Sequence, residues 1–364
     1  MEMSLYPGHN TAQVKRVLWW GRFDPDYSRN RILRSCLTES GWSINDFRPR
    51  WSAFGDIEAI WRLKKLPRPD LVWVPCFRQR DIAAAARWAR CHQVPLIIDP
   101  LISSYDKQVY ERDKLAPHSR AAKRLLTRES RLFQRADCVL ADTRAHADYF
   151  HDTLGVPCGR LHVVPVGAEE SLFRPGPPPP VSQPLEVLFF GSFIPLQGLR
   201  VIVEAAARCQ NLPIRWSLLG RGPLLAECRN LASGLSNVTF EDWIPYEQLP
   251  ARIHKAAIVL GIFGTTPKAR RVIPNKVYQG LACGRPVITL ESPAYPDDVA
   301  GAAESGMRWV PPGDSEALAA AVFELASHPE NLAHLAACAQ STYKCLFSSE
   351  KVCADLTAAL HEIL

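Results

Sequence analysis

Three stretches in the second half of the sequence combine glycine with polar or basic side chains in a spacing that suits a phosphate. Residues 189–199 (FFGSFIPLQGL) read as a strand, a glycine turn and a helix start. Gly191 would let the backbone approach a ligand, Ser192 follows it, and amides at a helix start can bind phosphate. Residues 219–223 (LGRGP) repeat the arrangement. Here the proline suits a first helical turn, and Arg221, which is always charged, is a phosphate partner. The richest stretch is 261–289. It leaves a strand end through a loop carrying Lys268, Arg270 and Arg271 and enters a short helix, with Asn275 as its expected N-cap and Lys276 at its start. The four cations and the helix dipole would converge on one anion.

In the first half, the polar candidates also follow apolar runs. Arg22, Asp24, Tyr27 and Arg29 come after the first run, Arg78 and Arg80 after Pro75, and Asp99 closes PLIID. Asp99 could serve as a general base or accept a hydrogen bond, although an aspartate before proline also starts turns. No D-x-D run stands where a bound metal is expected, so no metal and no cofactor are predicted. Asp297 and Asp298, in a proline-flanked loop, read as surface.

These residues need a scaffold of strands with helices between them. Short apolar runs at 16–20, 43–47, 71–75, 94–98, 138–141 and 161–164 alternate with helical patterns at 30–40, 81–91 and 119–135. Runs that are continuously apolar imply a parallel sheet covered on both faces. Pro175-Gly176 and the four prolines after it then interrupt every pattern and read as a stiff spacer. Beyond it the rhythm restarts, with strands at 186–190, 215–219, 238–240, 258–261, 286–289 and 308–310. The predicted fold is α/β, two doubly wound Rossmann-like domains facing a cleft. The expected boundaries are 1–175, a linker 176–184, a second domain 185–345, and a final helix 346–364 that could return to the first domain.

The chain has 364 residues, 47% of them hydrophobic and 22% charged, which excludes a disordered or collagen-like chain. Its net charge of +6 is unevenly spread. Residues 1–175 hold 28 lysines and arginines against 20 aspartates and glutamates, and the remainder holds 15 against 17. That asymmetry points the first half toward an anionic partner such as a phosphate-bearing ligand or an acidic membrane face, rather than nucleic acid. The eleven cysteines include no C-x-x-C pair and often sit in apolar runs, so reduced, buried thiols are expected. Residues 1–10 lack the pattern of a secretory leader, and no run is long enough to cross a bilayer. A cytoplasmic protein follows, with any membrane contact peripheral.

Several segments, in order, resemble the family-4-like (group 1) glycosyltransferases of GT-B fold. Residues 163–175 (VVPVGAEESLFRP) resemble the family's "VxPxGxDxxxFxP", and 190–205 resemble "FxGxxxxxKGxxxLxxA". Residues 219–223 resemble "xGxGP", 238–249 the segment around "VxFxG", 282–288 "AxGxPVI", and 310–318 "VxPxDxxxLAxAI". The resemblance implies a nucleotide-diphosphate sugar in the second domain and an acceptor in the first. By family position, Gly21 and Arg22 would lie in the first domain's glycine loop, with Tyr27, Arg29 and Arg78 also on the acceptor side. Trp243 and Ile244 would lie near the nucleobase, and Lys276, Val277 and Tyr278 near the diphosphate and ribose. Asp99 falls near the place where relatives present a histidine.

The departures from the family are specific. Ser192 and Gln197 stand where the family grips the diphosphate with an arginine and a lysine. Arg271 and Gln279 fall near its paired glutamates, and Gln279 keeps the ability to hydrogen-bond a ribose hydroxyl. Lys268, Arg271 and Lys276 are read as replacement cations that would neutralise the leaving group. The resemblance implies a hexosyltransferase-like enzyme that retains configuration and acts on a glycan or lipid-linked saccharide in cell-surface polysaccharide synthesis. A sugar-nucleotide epimerase and a nucleotide-binding partner subunit remain alternatives. A dehydrogenase is disfavoured because neither glycine turn spells G-x-G-x-x-G.

Overall fold

The computed structural model describes residues 14–112, 114–300 and 304–364. The leader expectation for residues 1–10 lies outside them. The first sheet contains β1 (Arg16–Trp20), β2 (Ser43–Phe47), β3 (Leu71–Val74), β4 (Leu96–Ile98), β5 (Cys138–Ala141) and β6 (Leu161–Val163). Its order is β2-β1-β3-β4-β5-β6 and every pair is parallel. Around it lie α1 (Ser28–Glu39), α2 (Gly55–Arg62), α3 (Ile82–His92), α4 (Ser104–Asp106), α5 (Arg120–Phe133) and α6 (Arg144–Asp152).

The second sheet contains β7 (Leu185–Ser192), β8 (Ile214–Arg221), β9 (Val238–Glu241), β10 (Ile258–Leu260), β11 (Val287–Leu290) and β12 (Met307–Val310), in the parallel order β12-β11-β10-β7-β8-β9. Its helices are α7 (Leu199–Arg208), α8 (Leu225–Leu231), α9 (Leu249–His254), α10 (Asn275–Ala282), α11 (Asp297–Ala300), α12 (Ser315–Ser327) and α13 (Leu332–Leu346), and α14 (Ser349–His361) follows. All twelve apolar runs are strands of these two parallel, helix-covered sheets.

The continuous apolar character of β1 has a direct cause. Val17 and Trp19 enter the core on one face while Leu18 and Trp20 enter the core on the other. Trp19 stacks on Trp73 of β3 with ring centroids 4.9 Å apart. The proline segment is tied to the second domain by Arg285. That side chain is buried and donates to the carbonyls of Pro177, His254, Ala256, Cys283 and Gly284.

Two features depart from expectation. Helices α2, α4 and α6 are not among the expected elements. α6 is capped by Thr143, whose hydroxyl accepts from the His146 amide. The cysteines are not all reduced. α14 packs on α1, with Val352, Leu356, Ala359 and Leu360 completing the core beside Val17, Leu33 and Trp73. That packing brings Cys36 and Cys353 to a Cα separation of 5.1 Å, and the two form a disulfide. Such a separation suits the bond.

Candidate active site

The carboxyl ends of both sheets face one cleft of about 930 Å³. From the second domain it takes Gly191 and Ser192 at the end of β7, Trp243 after β9, and Asn275, Lys276 and Gln279 of α10. The spacing 275, 276, 279 is one face of a helix. Val277 and Tyr278, fully buried, occupy the opposite face and pack in the core, Tyr278 against Phe347. Their side chains therefore do not line the cleft where the diphosphate and ribose were expected. Pro274, not Asn275, is the N-cap, and Asn275 is the first helical residue without a side-chain cap bond.

Lys276 is the principal cation of the cleft. Its side chain is 5% exposed, its ammonium donates to the Gln197 side-chain oxygen, and Nζ lies 3.8 Å from the centroid of the Phe189 ring. Burial pushes its pKa well below the ordinary lysine value. No carboxylate lies within ion-pair distance of it among the described residues. Gly191 has φ of +146°, and a Cβ there would stand 3.2 Å from Nζ, so the glycine makes room for the ammonium.

Of the other loop cations, Lys268 and Arg271 are engaged elsewhere and Arg270 is exposed outside the cleft, which corrects the idea that four converge on one anion. Lys268 lines the cleft but is ion-paired with Glu111 of the first domain. Arg271 donates from Nη2 to both carboxylate oxygens of Asp106, at 2.7 and 2.8 Å, and lies over the Tyr149 ring at 4.3 Å. Its carbonyl accepts from Thr143 Oγ1 at 2.6 Å. The 261–274 loop thus clasps the first domain. Arg221 is exposed outside the cleft, and Ile244 packs against the core rather than lining it.

In the first domain the structure divides the candidates three ways. Tyr27 lines the cleft, its ring edge-on to Phe77 at 5.0 Å, and burial raises the pKa of its hydroxyl. Asp99 and Arg29 do not reach the cleft. Both are fully buried, and Arg29 donates to Asp99 at 2.8–3.0 Å and to the carbonyls of Val164 and Pro165. Asp99 is therefore a structural counter-ion, not a base facing the sugar. Arg22 and Arg78 belong to a separate cavity of about 780 Å³, together with Arg50 and Arg80. Gly21, with φ of +138°, sits beneath it: a Cβ would approach Asp81 and Arg78 to 3.1–3.2 Å.

Two features at the cleft escaped the sequence reading: Asp142, and the partners Tyr246, Glu169 and Arg31 that tie Gln279 to the first domain. Asp142, at the end of β5, lines the cleft while 4% exposed, and His146 Nδ1 donates to it at 2.5 Å. The signal was present, because CVLAD ends in aspartate as PLIID does. The second feature is a chain of hydrogen bonds across the domains. Gln279 donates to Tyr246 Oη at 3.3 Å, Tyr246 donates to Glu169 at 3.0 Å, and Arg31 donates to the same oxygen at 2.9 Å. Burial and the nearby Glu169 push the Tyr246 hydroxyl up to about 12.

Known proteins match this arrangement. Residues 33–167 match a family model described as "Glycosyl transferase 4-like domain", and residues 184–328 match one described as "Glycosyl transferases group 1". No curated protein matches the chain in sequence. Among solved structures, sucrose-phosphate synthase from Thermosynechococcus elongatus is similar, with a TM-score of 0.75 and 18% identity over 96% of this chain and 99% of that one. HepE of Anabaena, crystallised with UDP, is similar with a TM-score of 0.71 and 16% identity over 95% and 99%.

Proposed function

Because the chain belongs to the group 1 glycosyltransferases and has their two-domain GT-B architecture, we propose that this glycosyltransferase takes its sugar from a uridine-diphosphate donor held over α10. The acceptor would be a glycan or lipid-linked saccharide held by the first domain. The observation that carries the donor reading is the buried Lys276 ammonium, which has no carboxylate partner at the base of the cleft. Burying an unpaired charge is unfavourable, and a diphosphate supplies the missing anion. The structurally similar HepE, crystallised with UDP-glucose, supports uridine as the base.

Transfer breaks the bond between the sugar's anomeric carbon and the β-phosphate oxygen and forms one to an acceptor oxygen. The acceptor's proton passes to the departing phosphate oxygen, which becomes basic as its bond breaks, on the same face of the sugar, so configuration is retained. Lys276 stabilises the negative charge that develops on the leaving diphosphate. Gln279 offers its amide to the ribose. Asp142, oriented by His146, accepts a hydrogen bond from a sugar or acceptor hydroxyl. The charge asymmetry and the arginine cavity support an acceptor bearing phosphate, of the kind used in cell-surface polysaccharide synthesis.

Thermal stabilisation by UDP, compared with GDP and ADP, tests the reading. UDP at about 100 times its Kd should add roughly 2.7 kcal/mol of stability, and Lys276→Ala should abolish most of it. A Lys276→Ala variant that keeps wild-type UDP affinity and donor turnover overturns the assignment.

A further inference from the structure

We propose that the face of the first domain built around α2 docks on an anionic lipid bilayer. Thirteen large apolar side chains are exposed among the described residues, and six of them fall between positions 51 and 66. Trp51 is 72% exposed and Trp61 77%, with Phe54, Ile57, Ile60 and Leu66 between and after them. A surface helix ordinarily turns its large apolar residues inward. α2 does the reverse: Gly55 and Ala59 face the domain, while Ile57, Ile60 and Trp61 face out. That is the polarity of a helix whose second solvent is hydrocarbon, and tryptophan suits the boundary between headgroups and acyl chains.

The charges around this face select the partner. Between positions 48 and 68 stand six cations: Arg48, Arg50, Arg62, Lys64, Lys65 and Arg68. The two acids in the same stretch are engaged, Asp56 by Arg87 at 2.6 and 2.7 Å and Glu58 by Arg62 at 2.6 Å, and Arg48 lies 3.7 Å from Asp46, which leaves Arg50, Lys64, Lys65 and Arg68 without an acidic partner among the described residues. An apolar ridge with a cationic rim complements an anionic membrane surface, where each nearby cation contributes about 1 kcal/mol. A second copy of this chain is a poorer occupant, because self-pairing would bring two cationic rims together. The arginine cavity adjoins the ridge through Trp51 and Phe54. The turn at Phe77–Arg80 separates it from the cleft, since Phe77 lines the cleft while Arg78 and Arg80 line the cavity. This extends the reading of the first domain as the acceptor side: it rests on that reading for its purpose, while its test reads the surface apart from the donor site.

The test is flotation of the full chain with vesicles of phosphatidylcholine alone, or with about one third phosphatidylglycerol, in about 0.1 M and about 0.5 M salt. We expect flotation with the anionic vesicles that weakens at the higher salt. The double variant Ile57→Ser/Trp61→Ser should lower the bound fraction about tenfold or more, and Lys64→Glu/Lys65→Glu should remove the preference for anionic lipid. All should keep the wild-type thermal shift with UDP, which shows that they fold and leaves the donor reading to be judged separately. Three outcomes overturn the proposal: no flotation with either vesicle, equal flotation of wild type and both variants, or a wild-type dimer in sedimentation that Trp61→Ser dissociates.

Discussion

A lysine held out of water against an amide oxygen and an aromatic ring makes Lys276 measurable before any acceptor is known. Its folded-state pKa lies below the ordinary lysine value because burial disfavours the charge. Between those two values the unfolded chain binds more protons than the folded one, so the ligand-free protein should gain stability as pH rises through that window. Lys276→Met should flatten this rise, raise the midpoint of thermal unfolding near neutral pH by about 2 °C or more, and remove the response to UDP. A pH series of thermal melts on both proteins checks each part. The two strand-end aspartates show what a sequence conveys at this scale. Asp99 and Asp142 close similar apolar runs on neighbouring strands. What separates them is Arg29, seventy positions from Asp99, which fills the space beside β4. Substituting Asp99 by alanine should leave that guanidinium buried and uncompensated, a loss of about 3–5 kcal/mol in denaturant unfolding.

The 261–274 loop is read differently once its partners are known. Its basic character was legible, and so was the short helix after it. Its pairing was not, because Glu111 and Asp106 lie more than 150 positions away. The loop clasps the first domain with Lys268 and Arg271 and leaves the anion site to Lys276. Glu111→Gln should release the Lys268 ammonium toward the cleft and tighten UDP binding about threefold to tenfold, read by titration calorimetry; unchanged affinity would mean that Lys268 does not reach the nucleotide. α10 carries a lesson of its own. Helical spacing alone puts residues 275, 276 and 279 on one face and 277 and 278 on the other, so the inward turn of Val277 and Tyr278 followed from a periodicity already in the sequence. α2 was hidden for a different reason: it is eight residues long, and its short apolar stripe, Ile57, Ile60 and Trp61, faces away from the domain instead of into the core.

At the scale of the whole molecule, the two parallel sheets were readable because their central strands, such as β3, β4, β10 and β11, are buried on both faces and apolar throughout. The return of α14 to the first domain rests on weaker signals, since an amphipathic helix does not name the surface it will cover. Its contribution can be measured. Leu356 is 1% exposed in the core beside Trp19 and Trp73, and Leu356→Ala should cost about 2–5 kcal/mol. In that variant the first domain should lose hydrogen-exchange protection before the second, because the vacancy opens under β1 and β3. Equal loss in both domains would mean that the two unfold as one unit.

The same helix sets an order of events during synthesis. The strands of the first domain are complete at Val163, but the side chains that close one of its faces begin at Val352. At about 10 residues per second the ribosome needs roughly 20 seconds to make the intervening chain. Throughout that interval an apolar slot stands open on the nascent protein, a ready target for a chaperone. The half of the molecule that is made first is the half that finishes folding last.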